Sequence, residues 1–141
     1  MHLLIAAALA AQIPDPLCPQ IARLIEGGRE KAPFASLRAE GFELRFWQGR
    51  ACSADGRGYL CYRNLLPREI TEATMAARIA ACLPGAKISV EKTGEWGPEK
   101  TVIRGSGLAF ALDESGSERA HVGRMLGILV RPATDSVAVP D

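Results

Sequence analysis

Residues 42–83 read FELRFWQGRACSADGRGYLCYRNLLPREITEATMAARIAACL and hold three of the four cysteines in the chain. Cys52 and Cys61 fall within one predicted hairpin, and Cys82 falls at the end of the helix predicted after it. The fourth cysteine, Cys18, lies upstream behind an apolar run. We interpret the four cysteines as two disulfides of an exported domain, because disulfides persist in oxidising compartments.

The hairpin is predicted from an alternating pattern followed by a turn composition. Residues 42–46 alternate apolar and charged side chains, which is typical of a half-buried strand, and this strand continues toward Cys52. Residues 54–58, Ala-Asp-Gly-Arg-Gly, favour a turn, and apolar residues follow as the return strand. If Gly56 and Arg57 form the tip of the hairpin, Cys52 lies directly opposite Cys61, with Cβ atoms roughly 4.5–5.5 Å apart. A disulfide can span that separation.

Two helices are predicted, one on each side of the hairpin. The first begins at Asp15-Pro16, where Asp caps free N–H groups and Pro suits the first turn. Its apolar face has helical spacing and consists of Leu17, Cys18, Ile21, Leu24 and Ile25. The second begins at Pro67 and ends before Pro84-Gly85. Its buried stripe consists of Met75, Ile79, Cys82 and Leu83.

The second half of the chain is predicted to be β-structure. Residues 86–92 form a strand with Ile88 and Val90 pointing inward. Residues 101–112 contain Gly105-Ser106-Gly107, which is either a tight turn between two strands or a bulge in one long strand. The last strand alternates apolar residues on one face: Val122, Leu126, Ile128 and Val130.

The predicted element order is α-β-β-α-β-β-β. It indicates an α+β fold, an antiparallel sheet of about five strands with two helices on one face. Residues 12–131 form a single disulfide-stabilised domain, and residues 132–141 are expected to be a poorly ordered tail. Hairpin-length connections after the second helix favour antiparallel pairing over parallel pairing.

Four cysteines allow three pairings, and we favour Cys52–Cys61 together with Cys18–Cys82. The Cys18–Cys82 bond would join the first predicted helix to the C-terminal end of the second predicted helix. Spacings of 34, 9 and 21 residues lack the close ligand pairs of a zinc site and the Cys-x-x-Cys of a redox site. We therefore expect no metal and no cofactor. In a cytosolic protein, buried free thiols would be the default instead.

Residues 1–11 carry no formal charge and end in Ala8-Leu9-Ala10, which resembles the apolar core and cleavage site of a signal peptide. The run lacks a preceding Lys or Arg and is shorter than the usual lower limit of about 15 residues. The alternative is a buried N-terminal helix. We predict a signal peptide and a periplasmic or secreted location. No stretch reaches the about 20 apolar residues of a membrane span.

Composition limits the classes of function. A chain of 141 residues suits one domain, and a net charge of +1 gives no overall field toward nucleic acid or anionic lipid. Arginines in the middle third recur every five to seven residues and indicate a solvated face, not a phosphate-binding patch. They are Arg38, Arg45, Arg50, Arg57, Arg63 and Arg68.

Catalytic motifs are sparse. His2 lies in the predicted leader, His121 stands alone before the last strand, and no Gly-x-Ser-x-Gly motif is present. An enzyme would have to assemble its site from Tyr59, Tyr62, His121 and Arg124. The candidate binding residues are Trp96, in a loop rich in Gly and Pro, and Trp47, beyond a strand, because aromatics are enriched in binding hot spots.

The spacing Cys52-x₈-Cys61, followed by an alanine-rich helix that ends in Cys82-Leu83-Pro84, resembles small secreted proteins of bacterial envelopes. These proteins share a leader, an early cysteine, a hairpin cysteine pair and a similar helix end. The resemblance covers roughly residues 18–130 and rests on structural cysteines and turns. The resemblance implies an exported, disulfide-bonded domain, and it identifies no functional residue in this chain.

Three hypotheses about function follow. The first is a non-catalytic exported module that binds an unknown protein partner, in a narrower form an inhibitor- or immunity-type protein. The second is a cytosolic protein similar to secretion chaperones, against which the sequence pI of about 7.7 counts. The third is a small envelope enzyme with a site near His121. The sequence does not indicate the oligomeric state.

Overall fold

A computed structural model of the protein describes residues 14–46, 52–55, 58–92, 99–119, 121 and 123–134. Its strands form one six-stranded antiparallel sheet in the order β1-β2-β6-β5-β4-β3. The elements in chain order are α1 (Leu17–Gly28), α2 (Ala35–Glu40), β1 (Cys52–Asp55), β2 (Gly58–Arg63), α3 (Glu72–Cys82), β3 (Lys87–Lys92), β4 (Glu99–Gly105), β5 (Leu108–Gly116) and β6 (Arg124–Pro132). The predicted α+β class and antiparallel sheet are confirmed, with one more strand and one more helix.

The main core lies between one face of the sheet and the three helices. The helices contribute Leu17, Ile21, Leu24, Leu37, Met75 and Ile79. The sheet contributes Tyr59, Cys61, Ile103, Leu108, Phe110, Leu112, Leu126, Ile128 and Val130. The apolar faces predicted for α1, α3 and the last strand are therefore confirmed at the described positions. The predicted leader, residues 1–11, and residues 135–141 of the predicted tail lie outside the described residues.

The opposite face of the sheet has a smaller apolar cluster. Val102, Ala109, Ala111 and Leu129 are buried there, with Leu60 packed against them. The cluster is bordered by two ion pairs, Lys100–Asp113 at 3.3 Å and Arg104–Glu91 at 2.9 Å. The long side chains of these ion pairs cover the small side chains of Ala109 and Ala111. The middle of the sheet is therefore buried on both faces.

The turn at Ser106-Gly107 accounts for the additional strand. Gly105 pairs with Leu108, and the two residues between them both have positive φ, 51° and 79°. These values match the primed turns that favour two-residue hairpins, and glycine adopts them at little cost. The tight-turn alternative is therefore correct, and residues 101–112 belong to two strands.

Residues 42–46 are not the strand that their alternation predicted. The guanidinium of Arg63 donates to the Leu44 carbonyl at 3.0 Å, and the Gln20 amide donates to the Arg45 carbonyl at 3.0 Å. Gln20 also accepts from the Arg45 N–H. Because these side chains satisfy backbone groups of Leu44 and Arg45, those groups need no partner strand. The alternation itself persists, since Leu44 is buried and Arg45 is exposed.

Both predicted disulfides are present, Cys18–Cys82 and Cys52–Cys61. The β1–β2 register places Cys52 directly opposite Cys61, as the turn composition predicted. The Cys18–Cys82 bond joins the start of α1 to the end of α3. All four cysteines are oxidised, which leaves no free thiol.

The start of α3 was wrongly predicted at Pro67. Residues 67–70 form a turn, with the Ile70 N–H donating to the Pro67 carbonyl at 3.1 Å. The N-cap is Thr71, whose hydroxyl accepts from the Thr74 N–H at 3.1 Å, while the Thr74 hydroxyl accepts from the Thr71 N–H. The Thr71 side chain satisfies a free N–H group of the first turn, so the helix begins after Thr71, at Glu72.

Asp15 fastens α1 to α3 beside the first disulfide. Its carboxylate accepts two hydrogen bonds from the Arg78 guanidinium, both at 2.8 Å, and one from the Leu17 N–H at 2.9 Å. The Arg78 hydrogen bonds, with the Leu17 N–H as a smaller contribution, lower the pKa of Asp15 from 3.8 to about 2 despite its burial. Asp15 therefore bonds both to the first turn of α1 and to α3, while Pro16 occupies the N-cap position of α1.

The substitution Asp15→Asn is expected to lower the free energy of unfolding by about 1–2 kcal/mol at pH 7. The folded pKa of Asp15 lies below its unfolded value, so the ionised form stabilises the fold. Its contribution is complete above about pH 4 and disappears as the pH falls toward 2. Urea unfolding of both proteins across this range should show the difference between them shrinking. A difference that stays constant down to pH 2 would contradict the role of the ionised Asp15.

Candidate interaction surfaces

The four residues considered for catalysis do not form one site, and the two tyrosines lie on opposite faces of β2. Tyr59 is buried on the helix side, with its ring centroid 6.4 Å from Phe34 and 5.6 Å from Phe42. Burial, with a smaller contribution from the Glu43 carboxylate, raises the pKa of Tyr59. A buried neutral phenol of this kind serves core packing. Tyr62 lies on the other face and is exposed.

Arg124 and His121 are also apart from Tyr59. Tyr59 pairs with Val130, six residues along β6 from Arg124, which corresponds to roughly 20 Å. The Arg124 guanidinium donates to the carbonyls of Pro67 and Ile70 and to the Glu114 carboxylate. His121 is exposed in the turn before β6. The structure therefore places Tyr59 away from both Tyr62 and Arg124, so the four residues do not form one site.

Trp47 and Trp96, the predicted binding residues, lie outside the described residues, and their role stays a prediction. Within the described ranges, no group of three His, Cys, Asp or Glu side chains is placed to hold a metal ion. The cysteines are bonded to each other, so their sulfurs are not available as thiolate ligands.

A cleft runs beside α2, where two adjoining cavities of about 390 and 370 Å³ share Gly41, Phe42 and Glu43. One cavity also contacts Gln20 and Arg45. The other also contacts Leu37, Arg38, Cys52 and Tyr59. We call these lining residues together the α2 cleft. The cleft lies at the β1 end of the sheet, because β1 and β2 supply Cys52 and Tyr59.

The α2 cleft combines an apolar wall with two cationic side chains. Phe42 and Tyr59 pack against each other in the wall, and Arg38 and Arg45 are exposed. Among the described residues, neither of these guanidinium groups has an ion pair or a hydrogen bond. The neighbouring Arg23 differs, since it is bonded to Glu40 and Ser36. Unpaired guanidinium groups beside apolar surface suit a carboxylate-bearing ligand, which they can bind through paired hydrogen bonds.

The sequence did not point to this cleft. Arg38 and Arg45 were interpreted as members of a spaced series on a solvated face. They line one cleft because the chain turns between them at Gly41, which has a positive φ of 65° and caps α2. Glycine at this position is a signal for such a turn, but it does not indicate which side chains the turn brings together.

The free edge of β3 is the second notable surface, and we call residues Lys87–Lys92 the β3 edge. Ile88 and Val90 were predicted to point inward, and they do lie on the helix side of the sheet. They are nevertheless 52% and 65% exposed, so the prediction of burial is wrong. β3 is the last strand of the sheet, and the helices cover the neighbouring strands instead.

The chain matches no protein-family model, no curated protein and no solved structure. Within the described ranges the longest helix is α1, with 12 residues, and no helix is long and apolar enough to cross a membrane. Two disulfides are consistent with folding in an oxidising compartment.

Proposed function

We propose that the chain is an exported, non-catalytic protein-binding module, periplasmic or secreted, that binds an acidic segment of a partner protein in the α2 cleft. The observation that carries this proposal is the pair of exposed, unpaired guanidinium groups of Arg38 and Arg45 beside an aromatic wall. Export is supported by the two disulfides, which cytosolic conditions would reduce.

Binding is favoured over catalysis by the chemistry of the cleft. Its described lining contains no histidine and no hydroxyl or thiol nucleophile beside a base. Tyr59 has a raised pKa and is packed between aromatic rings, so it is a poor general base. The polar groups that remain are guanidinium groups, a carboxylate and an amide, which recognise a ligand without transforming it.

The cleft is held in shape by bonds on several sides. The Cys52–Cys61 disulfide fixes β1 to β2, and the Gln20 hydrogen bonds fix Arg45 to α1. Arg63 holds the same segment through the Leu44 carbonyl. A site that is ordered before binding loses little conformational entropy when a partner docks. This rigidity suits an inhibitor- or immunity-type protein, which is the narrower form of the proposal.

The proposal predicts that Arg38→Glu with Arg45→Glu weakens binding of acidic peptides at least tenfold. Reversing both charges replaces attraction by repulsion, and tenfold corresponds to about 1.4 kcal/mol. The probe is a displayed library of random peptides, selected on the oxidised protein. The wild type is expected to enrich sequences that place Asp or Glu next to an aromatic residue. Dissociation constants of the selected peptides are then measured by fluorescence anisotropy.

A matched control reverses the same number of charges away from the cleft. Arg29 and Arg119 are both exposed and line neither cavity, so Arg29→Glu with Arg119→Glu should change binding less than about twofold. Selection of peptides without acidic residues would overturn the proposal. Equal binding by the cleft variant and the wild type would also overturn it.

A further inference from the structure

The side chains of the β3 edge divide into two chemically distinct rows. Ile88 and Val90 lie on the helix side and are mostly exposed. Lys87, Ser89 and Glu91 alternate with them on the opposite face. Among the described strands, β3 pairs only with β4, so one side of its backbone faces away from the sheet. An exposed edge with apolar side chains is a template for pairing with another strand.

The register of the sheet identifies which backbone groups are free. Gly105 and Leu108 flank a two-residue turn, so they exchange hydrogen bonds with each other. Along β4 the direction of bonding alternates, so Arg104 and Val102 bond toward β3. Their partners there are Lys87 and Ser89. The N–H and C=O groups of Ile88 and Val90 consequently point outward, away from the sheet.

We propose that the β3 edge binds the β3 edge of a second copy of this chain, antiparallel, with the two-fold axis at Ser89. In this register Ile88 lies opposite Val90 of the second copy, and these are the residues with outward backbone groups. Lys87 lies opposite Glu91 of the second copy. By symmetry each pair occurs twice, which gives two apolar pairs and two pairs of opposite charge.

The neighbouring register is much less favourable, so the pairing is specific. A two-fold axis at Val90 would place Ile88 opposite Lys92 of the second copy, and Ser89 opposite Glu91. The two Ile88–Val90 pairs and the two Lys87–Glu91 pairs would be lost. The alternative register would offer one apolar contact in their place, between the two Val90 side chains. The Glu91 carboxylate is also held in place by Arg104, at 2.9 and 3.1 Å, which fixes it for the incoming lysine.

The dimer joins two six-stranded sheets into one continuous sheet. β3 and the β1–β2 hairpin lie at opposite edges of each sheet, so the two α2 clefts would lie at the far ends of the dimer. If the proposed function holds, the dimer is bivalent, and a partner with two acidic segments gains avidity. The dimer itself does not depend on that function.

The test is sedimentation equilibrium of the oxidised protein from about 1 to 500 µM, because a small edge interface implies a dissociation constant of about 10–100 µM. The mass is expected to rise from that of the monomer to twice that value. Val90→Pro removes an outward N–H without touching the β3–β4 hydrogen bonds and should leave a monomer. A monomer at every wild-type concentration, or a dimer that survives Val90→Pro, would overturn the proposal.

A charge swap tests the register. Lys87→Glu and Glu91→Lys are each expected to weaken dimerisation at least tenfold, and the double variant to recover to within about threefold of wild type. The double variant also returns a carboxylate to Arg104, whose cross-strand partner is position 87. Failure of the double variant to recover would overturn this register.

The control Leu65→Lys alters a side chain that is 62% exposed but lies away from β3 and should leave the dimer unchanged. A loss of the dimer in Leu65→Lys would mean that another surface holds it, which overturns the β3 edge. Arg38→Glu with Arg45→Glu should dimerise like the wild type. A monomeric protein that still selects acidic peptides overturns only the dimer. A dimer that selects none overturns only the proposed function.

Discussion

Replacing Cys18 and Cys82 by serine is expected to lower the free energy of unfolding by about 4 kcal/mol, because their bond spans 64 residues of chain. The Cys52–Cys61 bond spans nine residues, and its replacement should cost about 3 kcal/mol. A cross-link stabilises mainly by limiting the unfolded chain, so the longer loop has the larger effect. Urea unfolding of the oxidised proteins measures both values.

Each double-serine variant controls for the other, since both remove one disulfide and add two hydroxyl groups. The Cys18–Cys82 variant retains the Asp15–Arg78 pair between α1 and α3, so it should still fold with α1 in place. Circular dichroism checks that. A larger loss for the Cys52–Cys61 variant than for the Cys18–Cys82 variant would show that local strain or packing, and not loop length, dominates the stabilisation.

Ile103→Ala is expected to cost about 3–4 kcal/mol, whereas Ile88→Ala should cost less than about 1 kcal/mol. The two isoleucines are cross-strand partners on the same face of the sheet. Ile103 is fully buried against the helices, while Ile88 is 52% exposed. Both substitutions remove the same atoms from neighbouring positions. The difference between their losses of unfolding free energy therefore measures what burial contributes at Ile103, through the cavity left behind and the apolar area that folding removes from water.

Both isoleucine variants are compared by urea unfolding at about 1 µM, well below the dimer dissociation constant inferred for the β3 edge. At that concentration the exposed Ile88 contacts no second copy, and its substitution reports the monomer alone. Equal losses for the two variants would contradict the position of β3 outside the helix layer. They would also remove the exposed apolar pair on which the dimer depends.

The features that the sequence predicted correctly depend on local spacing. The turn at residues 54–58 fixes the Cys52–Cys61 register through its own length. The helical spacing of Leu17, Ile21 and Leu24 specifies the buried face of α1. In these cases neighbours along the chain determine the geometry, so no knowledge of the remaining fold is needed.

The features that the sequence did not predict depend on residues far apart in the chain. Residues 42–46 have the alternation of a strand, but Gln20 and Arg63 satisfy their backbone groups from α1 and β2. Ile88 and Val90 have the alternation of a half-buried strand, yet their exposure follows from where the helices end over the sheet. Alternation specifies which side chains share a face, and only the tertiary arrangement determines whether that face is covered.

We propose that the chain is exported and held by two disulfides, and an intact mass tests this proposal most directly. The protein is recovered from its native host and alkylated, with and without prior reduction. We expect a mass without the predicted leader, no cysteine alkylated before reduction and all four alkylated after it. A full-length mass with four cysteines alkylated directly, without any reductant, would contradict both the disulfides and export.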